Sequence, residues 1–298
     1  MTSLDFDSIF KCKDLSPSSI QTYKTKFIKL NDNKPVRNLN FLLDIDGVKK
    51  KIEPLRPNTQ RTYYIAICSI LKCMINNKQA NKSFRKIYDD YSKILEDYNI
   101  KLKDQTEKTI TEGENWMTQD RLKEVYDKLK ENHTQNQRTF QDYLILSLYY
   151  LNAPRRNKDY ALLKVVNNYN DKLPNEFNYF DVKNKKFIFN NYKTAKKYNR
   201  QEIEVNDDLY NIINEYIRQF KVKNNDFLLY NLTTNEPLSQ INAITLILNR
   251  IFNRNIGSSM LRKFYLSNKY GDNAKELIKD VEKMGTSVST ANNNYIKK

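Results

Sequence analysis

The chain is poor in the residues on which metal- and nucleotide-dependent enzymes rely. Its 298 residues include one histidine, three cysteines and five glycines. One histidine and three cysteines cannot build an ordinary zinc site, and no acidic cluster resembles a calcium-binding loop. The glycines form neither of the glycine-rich patterns that hold phosphates. We therefore expect any reaction of this chain to proceed without a metal, a nucleotide or another cofactor.

The cysteines and the histidine also lack functional spacing. Cys12, Cys68 and Cys73 are odd in number and match no ligand motif, which predicts free thiols in a reducing, intracellular compartment. His133 lies in the polar stretch KENHTQNQ, which predicts a solvent-exposed loop position without a function. No apolar run approaches the roughly 18 residues of a membrane span, and the N-terminus lacks a signal-peptide pattern. We expect no membrane association.

Acidic residues are too few to balance the basic ones. The chain has 51 Lys and Arg against 35 Asp and Glu, a formal net charge of +16. This excess favours an anionic partner, of which nucleic acid is the commonest, and binding to it should weaken steeply with salt. A basic surface that serves solubility alone is the other interpretation.

Apolar residues recur at helical spacing through residues 1–105, which predicts a compact helical domain. Ser16 is the predicted N-cap of an early helix, and Pro17 suits the first position of that helix. Residues 106–115 are polar and have little periodicity, so they predict a linker that packs into neither core.

Residues 116–298 predict a second domain of mixed structure. The apolar stretch TFQDYLILSLYYLN predicts a core helix, and two late helices should end at Gly271 and Gly285. Between these parts, KFIFN and QEIEV alternate in hydrophobicity, which predicts a small antiparallel sheet. The predicted fold class is mainly α with a small antiparallel β-sheet.

Four stretches of the second domain carry charged residues and a tyrosine in order. Arg156 precedes Asp159 by about one helical turn in NAPRRNKDYALLKV. Lys193 lies on the first strand or the turn of the predicted hairpin, Arg262 follows Leu in SSMLRKFYLSNKYG, and Tyr295 stands in the tail STANNNYIKK. This set resembles the tyrosine recombinase family, the phage-integrase-like DNA strand-transfer enzymes. PRRNKDY and MGTSVSTANNNYIK look most like integrases of large eukaryotic DNA viruses and related mobile elements.

The spacing of the motifs decides which residues correspond to the family pattern. Arg156 fits the first arginine better than Arg155, for which Lys158 would take the place of the acid. Lys196 and Lys197 are alternatives to Lys193. The family nucleophile follows a late Gly-His pair by nine residues, and nine residues after Thr286 of the Gly-Thr pair stands Tyr295.

The chain departs from the family where histidines are usual. Ser259 stands three residues before the second arginine, Lys263 follows that arginine, and Thr286 takes the later histidine or tryptophan position. Ser259 and Thr286 can hydrogen-bond a phosphate oxygen, but neither is a good acid or base at neutral pH. Lys193 would therefore carry more of the proton transfer, with Lys263 assisting.

The resemblance implies a chemistry that suits these residue types. Two arginines would hold the nonbridging oxygens of a DNA phosphate, where negative charge grows in the transition state. Tyr295 would attack the phosphorus, and Lys193 would protonate the leaving 5′ oxygen. Asp159 would orient Arg156 or its helix. The product, a 3′-phosphotyrosyl link, stores the bond energy for rejoining.

The resemblance also implies an architecture and partners. A helical core-binding, SAM-like domain over residues 1–105 and a catalytic domain over residues 116–298 would close around double-stranded DNA. A homotetramer would form on paired DNA sites, in a host nucleus or at a cytoplasmic viral replication site. Expected DNA contacts are Lys24, Thr59, Arg61 and Lys263.

Three other interpretations of the sequence stay open. A type IB topoisomerase-like enzyme would use the same chemistry to relax supercoils. A catalytically lapsed descendant would bind DNA without cleaving it. A basic DNA-coating protein would explain the charge but not the ordered arginine, lysine, arginine and tyrosine; each of those residues taken alone has an ordinary structural explanation, such as a surface ion pair.

Overall fold

A computed structural model describes residues 3–102 and 110–284, together with residues 288 and 291. The structure is mainly helical, at 61%, and contains two small sheets. The chain divides into two compact units, Met1–Glu107 and Lys108–Lys298. Among the described residues, no helix has both the length and the apolar composition needed to cross a membrane.

The first unit is helical, as predicted. Its helices are α1 (Phe6–Phe10), α2 (Pro17–Leu30), α3 (Ile45–Ile52), α4 (Pro57–Asn76) and α5 (Lys82–Lys101), with a 3₁₀ turn at Asn40–Leu43. Ser16 caps α2 by accepting a hydrogen bond from the amide of Ser19, and Pro17 takes the first helical position. The buried residues Phe27, Leu42 and Ile67 belong to one core, so the amphipathic faces of these helices bury against one another.

The prediction of three free thiols is wrong. Cys12 and Cys73 form a disulfide across 61 positions, with their Cα atoms 5.6 Å apart. Helix α1 packs against α4, and this brings Cys12, two residues after the end of α1, beside the buried face of α4. Sequence spacing cannot reveal such a tertiary contact. Cys68 is the free cysteine, and burial raises the pKa of its thiol.

The second unit combines helices with a four-stranded sheet. Its helices are α6 (Ile110–Asn115), α7 (Gln119–Asn132), α8 (Gln137–Tyr150), α9 (Asn157–Ala161), α10 (Ala195–Tyr198), α11 (Asp207–Gln219), α12 (Ile241–Phe252) and α13 (Ser258–Lys283). Its strands are β1 (Leu163–Val166), β2 (Asn178–Asp181), β3 (Lys186–Phe189), β4 (Gln201–Glu204), β5 (Tyr230–Asn231) and β6 (Glu236–Pro237). Helix α8 is the predicted core helix, and residues 140–149 are all buried.

The larger sheet is mixed rather than purely antiparallel. Its strand order is β1-β2-β3-β4, and β1 runs parallel to β2. The predicted hairpin strands β3 and β4 do pair antiparallel, with Phe187 opposite Ile203. The sequence does not predict β1, because the run ALLKVV is apolar except for Lys164 and lacks the alternation of a half-buried strand.

Residues 110–115 are part of the second unit rather than a linker without packing. They form α6, and Glu112 of this helix makes an ion pair with Lys263. The next residue, Trp116, packs edge-on against Phe264 with ring centroids 5.0 Å apart. The sequence does not predict these contacts, because the stretch has few apolar residues and the contacts involve only the charge of Glu112 and the ring of Trp116.

His133 is not the exposed bystander that its polar neighbours predict. Its side chain is 17% exposed and lies against the rings of Phe140 and Tyr143, at centroid distances of 4.7 and 4.9 Å. Its Nε2 atom is 3.7 Å from a carboxylate oxygen of Glu215. The histidine is a packing residue at the end of α7.

Gly271 does not end a helix. Helix α13 runs continuously from Ser258 to Lys283, while the second predicted terminator, Gly285, lies outside the described residues. A Cβ atom built on Gly271 would meet nothing within 4 Å. The helix tolerates this glycine in its interior because a single glycine costs only about 1 kcal/mol there.

Gly271→Ala should therefore stabilise the protein by about 0.5–1 kcal/mol, since alanine fits the helix and loses less chain entropy on folding. Urea unfolding followed by circular dichroism would measure this. The exposed Ala274 lies in the same helix, and Ala274→Gly should shift stability by a similar amount in the opposite direction. Destabilisation by Gly271→Ala would show that the chain turns there.

Cys12→Ser should lower the free energy of unfolding by about 4 kcal/mol under oxidising conditions. Without the disulfide, the unfolded chain regains the conformational entropy that closing a loop across 61 positions removes. In reductant, this variant and wild type should unfold at similar urea concentrations. Cys68→Ser is the control and should respond to reductant as wild type does. Wild-type stability that is insensitive to reductant would contradict the disulfide.

Candidate functional site

Arg156 is placed by the start of helix α9. It is the N-cap residue, with the extended backbone that precedes a helix. The next residue, Asn157, is buried; its amide oxygen accepts from the hydroxyl of Tyr149 at 2.9 Å, and its amide nitrogen donates to Thr245 at 2.8 Å. These bonds fix the start of α9 to α8 and α12, and thereby fix the backbone of Arg156.

Arg262 is placed by helix α13. It lies in the second turn of that helix, between the buried residues Leu261 and Phe264. Because both neighbours pack into the core, this part of α13 cannot rotate without exposing apolar surface. Arg262 itself is half-buried.

One cleft brings these two arginines together. It has a volume of about 200 Å³ and joins α9, the connection between β3 and β4, and α13. Its lining consists of Pro154, Arg155, Arg156, Asp159, Tyr192, Thr194, Tyr198, Gln201 and Arg262. Three of the residues expected in the site, Arg156, Asp159 and Arg262, therefore share one cavity.

The charge in this cleft is not balanced. Among the described residues, no carboxylate forms an ion pair with Arg156 or Arg262. Burial lowers the pKa of Arg262, and the charge of Arg156 lowers it further, while Asp159 opposes the shift. An arginine still keeps its proton at neutral pH. Two guanidiniums that repel each other, and for which the described residues supply no ion-pair partner, favour a bound anion.

Asp159 pairs with Arg155 rather than with Arg156. The Nε atom of Arg155 donates to Asp159 Oδ2 at 2.7 Å, and the two side chains are only 15% and 3% exposed. Burial raises the pKa of the Asp159 carboxyl, and the charge of Arg155 opposes this. The expected role of Asp159 is to orient either Arg156 or the helix that follows it. Its ion pair with Arg155 agrees with the second role, because it holds α9 in place.

Arg155 connects three elements of the second unit. Besides its bond to Asp159 on α9, its Nη1 atom donates to Gln201 of β4 at 2.9 Å. Its guanidinium also lies 3.9 Å from the ring centroid of Phe189 on β3 and 5.1 Å from that of Tyr192. Both neighbouring arginines line the cleft, but Arg155 is bonded to Asp159 and Gln201, whereas Arg156 has no carboxylate partner within the described part of the chain.

Lys193 lies in the β3–β4 connection, just before α10. Its side chain is exposed and is not part of the cleft lining, although its neighbours Tyr192 and Thr194 are. The alternatives Lys196 and Lys197 lie in α10 and are also exposed. All three lysines therefore lie in the β3–β4 connection, with exposed side chains.

Two other expected residues, Ser259 and Lys263, are not part of the cleft lining. Ser259 is exposed in the first turn of α13, and Lys263 makes its ion pair with Glu112. Thr286 and Tyr295 lie outside the described residues.

The expected DNA contacts of the first unit differ in exposure. Lys24 on α2 and Thr59 in the first turn of α4 are exposed. Arg61 is half-buried, and its Nε atom donates to Asn99 of α5 at 2.6 Å. That bond leaves Arg61 less available than the other two.

Sequence reasoning missed Arg155, Thr194, Tyr198 and Gln201 as cleft residues. The doubled arginine of PRRNKDY was the one available signal for Arg155. The others become neighbours of α9 only because β3 and β4 pair next to it. Within the described ranges, no group of histidine, cysteine, aspartate or glutamate side chains could hold a metal ion.

Compared with protein families, curated proteins and solved structures, the chain matches no family model, no curated protein and no solved structure. The interpretation of the cleft therefore rests on the residues that line it.

Arg155→Ala should lower the free energy of unfolding by about 3–5 kcal/mol at neutral pH, because it leaves the buried Asp159 carboxylate without a partner. The loss should be smaller in acid. Below the raised pKa of Asp159 the carboxyl is protonated and neutral, so the variant then buries no unpaired charge. The measurement is urea unfolding at several pH values.

Arg156→Ala is the matched control and should change stability by less than about 0.5 kcal/mol. Adding Asp159→Asn to Arg155→Ala should recover part of the lost stability. Equal effects of the two arginine substitutions would contradict the division of tasks between them.

Proposed function

We propose that this chain is a DNA strand transferase of the tyrosine recombinase type, which cleaves and rejoins DNA without metal or ATP. The observation that carries the proposal is that Arg156 and Arg262 line one cleft and that neither forms an ion pair with a carboxylate of the described residues. A phosphodiester supplies one negative charge and gains more on its nonbridging oxygens in the transition state. The unbalanced positive charge of the cleft suits that change.

The proposed reaction is a reversible transesterification. The phenol oxygen of Tyr295 attacks the phosphorus and gives up its proton to solvent, and the bond from phosphorus to the 5′ oxygen breaks. Lys193 supplies a proton to that oxygen, which leaves as a hydroxyl. Attack by a 5′ hydroxyl on the 3′-phosphotyrosyl link reverses each step, so no external energy source is required.

The missing histidines place more of the proton transfer on lysine. Lys193 is exposed beside the cleft, whereas Lys263 is held by Glu112. The structure therefore supports Lys193, rather than Lys263, as the proton donor in this proposal. The motif spacing in the sequence supports the roles proposed for Ser259, Thr286 and Tyr295.

The finer architecture belongs to the same proposal. The first unit would be the core-binding domain, and the second the catalytic domain, of an integrase from a large DNA virus or mobile element. Double-stranded DNA would be the partner, with a homotetramer on paired sites. The net charge of +16 supports an anionic partner. The site of action would be a host nucleus or a cytoplasmic viral replication site.

Trapping of covalent complexes on nicked duplexes of randomised sequence tests this function. The nick lets the short 5′ end diffuse away after attack, so the protein should stay attached to the 3′ end after denaturation. Wild type should give DNA-linked protein, and Tyr295→Phe should give none, because phenylalanine has no nucleophilic oxygen. Arg156→Ala should lower the yield by about 100-fold or more, as expected when a charge-stabilising donor is removed.

Tyr270→Phe is the control, since Tyr270 is an exposed tyrosine of α13 outside the cleft. Equal adduct from wild type and Tyr295→Phe would refute the assignment of the nucleophile. Absence of adduct together with salt-sensitive DNA binding would favour a binding protein. Relaxation of supercoils without strand exchange between two marked duplexes would favour a topoisomerase.

A further inference from the structure

Tyr198 is an exposed aromatic ring at the proposed phosphate cleft. Its side chain is 54% exposed, and it lines the same cavity as Arg156 and Arg262. A single exposed ring is ordinary elsewhere on a protein surface. Here it lines the same cleft as two arginines that pair with no carboxylate of the described ranges, and a nucleotide bound there would bring a base as well as a phosphate.

The backbone that carries this ring is held in place. The hydroxyl of the buried Tyr192 donates to the carbonyl of Asn199 at 2.6 Å, and the amide of Asn199 donates to the carbonyl of Ala195 at 2.8 Å. Asn199 has a φ of 55°, in the left-handed region, so the chain turns sharply directly after Tyr198. These contacts fix the position of the Tyr198 backbone, while its ring stays in solvent. Binding therefore costs little backbone entropy.

The surroundings of the ring are basic. Residues 193–200, KTAKKYNR, contain four cationic residues and no acidic one, and one of the four, Arg200, pairs with Asp171 and Glu202. The ammonium of Lys197 lies 5.1 Å from the centroid of the Tyr198 ring. Aromatic rings interleaved with basic side chains are the arrangement with which proteins bind unpaired bases, since the cations follow the backbone and the ring stacks on the base.

We propose that Tyr198 is a stacking site for an unpaired nucleobase, next to the phosphate held by Arg156 and Arg262. This inference rests on the proposed function, because it takes the cleft to be a DNA phosphate site. A base within a paired duplex has both faces covered by its neighbours and cannot stack on a side chain. The site therefore selects DNA in which one base beside the bound phosphate has left the helix.

The test compares two short duplexes of the same sequence, one fully paired and one with a single unpaired 2-aminopurine. Wild type should bind the second more tightly and quench its fluorescence. Tyr198→Leu should lose about tenfold in affinity for the unpaired duplex only, because leucine keeps bulk but cannot stack. Tyr198→Phe should behave as wild type, and Tyr270→Leu, at an exposed tyrosine outside the cleft, should have no effect.

Several outcomes would overturn the stacking site: no DNA binding, no preference of wild type for the unpaired duplex, or equal behaviour of Tyr198→Leu and wild type. An equal loss on both duplexes would do so as well, since it would indicate a general contact. The assay does not depend on Tyr295. Failure of covalent trapping with a Tyr198-dependent preference would thus refute the strand-transfer function alone, and the reverse result would refute the stacking site alone.

Discussion

The buried ion pair between Arg155 and Asp159 is the contact on which the geometry of the cleft depends. It joins α9 to the sheet through the additional bond from Arg155 to Gln201 and the contact with the ring of Phe189. A charge pair with side-chain exposures of 15% and 3% is costly to bury and costs still more when broken. The pair matters here because it positions the cleft residues. It holds Arg155, the residue before Arg156, against β3 and β4, the strands on either side of the connection that carries Lys193.

That pair also separates two kinds of arginine. Arg155 has its charge compensated by Asp159, and its Nε and Nη1 atoms donate to Asp159 and Gln201. Among the described residues, neither Arg156 nor Arg262 has a carboxylate partner, and burial together with the charge of Arg156 lowers the pKa of Arg262. Mutual repulsion of this kind is relieved only by an anion, and a bidentate guanidinium fits a phosphate better than it fits a spherical ion. The charge distribution thus argues for the proposed ligand independently of the motif spacing.

Local signals in the sequence predict local structure well in this chain. Ser16 with Pro17 predicts the start of α2, and the alternation of KFIFN and QEIEV predicts the paired strands β3 and β4. One local signal fails, since Gly271 lies inside α13 and does not end a helix, whereas other errors involve partners distant in the chain. The Cys12–Cys73 disulfide and the contact of Lys263 with Glu112 depend on how the elements pack, and no spacing rule encodes that. The motif spacing selects Arg156 over Arg155 as the counterpart of the first arginine of the family, but only the tertiary structure shows that Arg155 is the residue that pairs with Asp159.

The β3–β4 connection combines a fixed end with a solvent-exposed set of side chains. Tyr192 is buried and bonded to Asn199 across the base of the connection, while Lys193, the residue directly after it, is exposed. A lysine has four rotatable bonds in its side chain, so a fixed backbone still allows its ammonium to cover several ångströms. A histidine in this position would reach less far. In a chain with one histidine, itself packed between aromatic rings away from the cleft, a mobile ammonium on an anchored connection is a physically adequate proton donor for the proposed reaction.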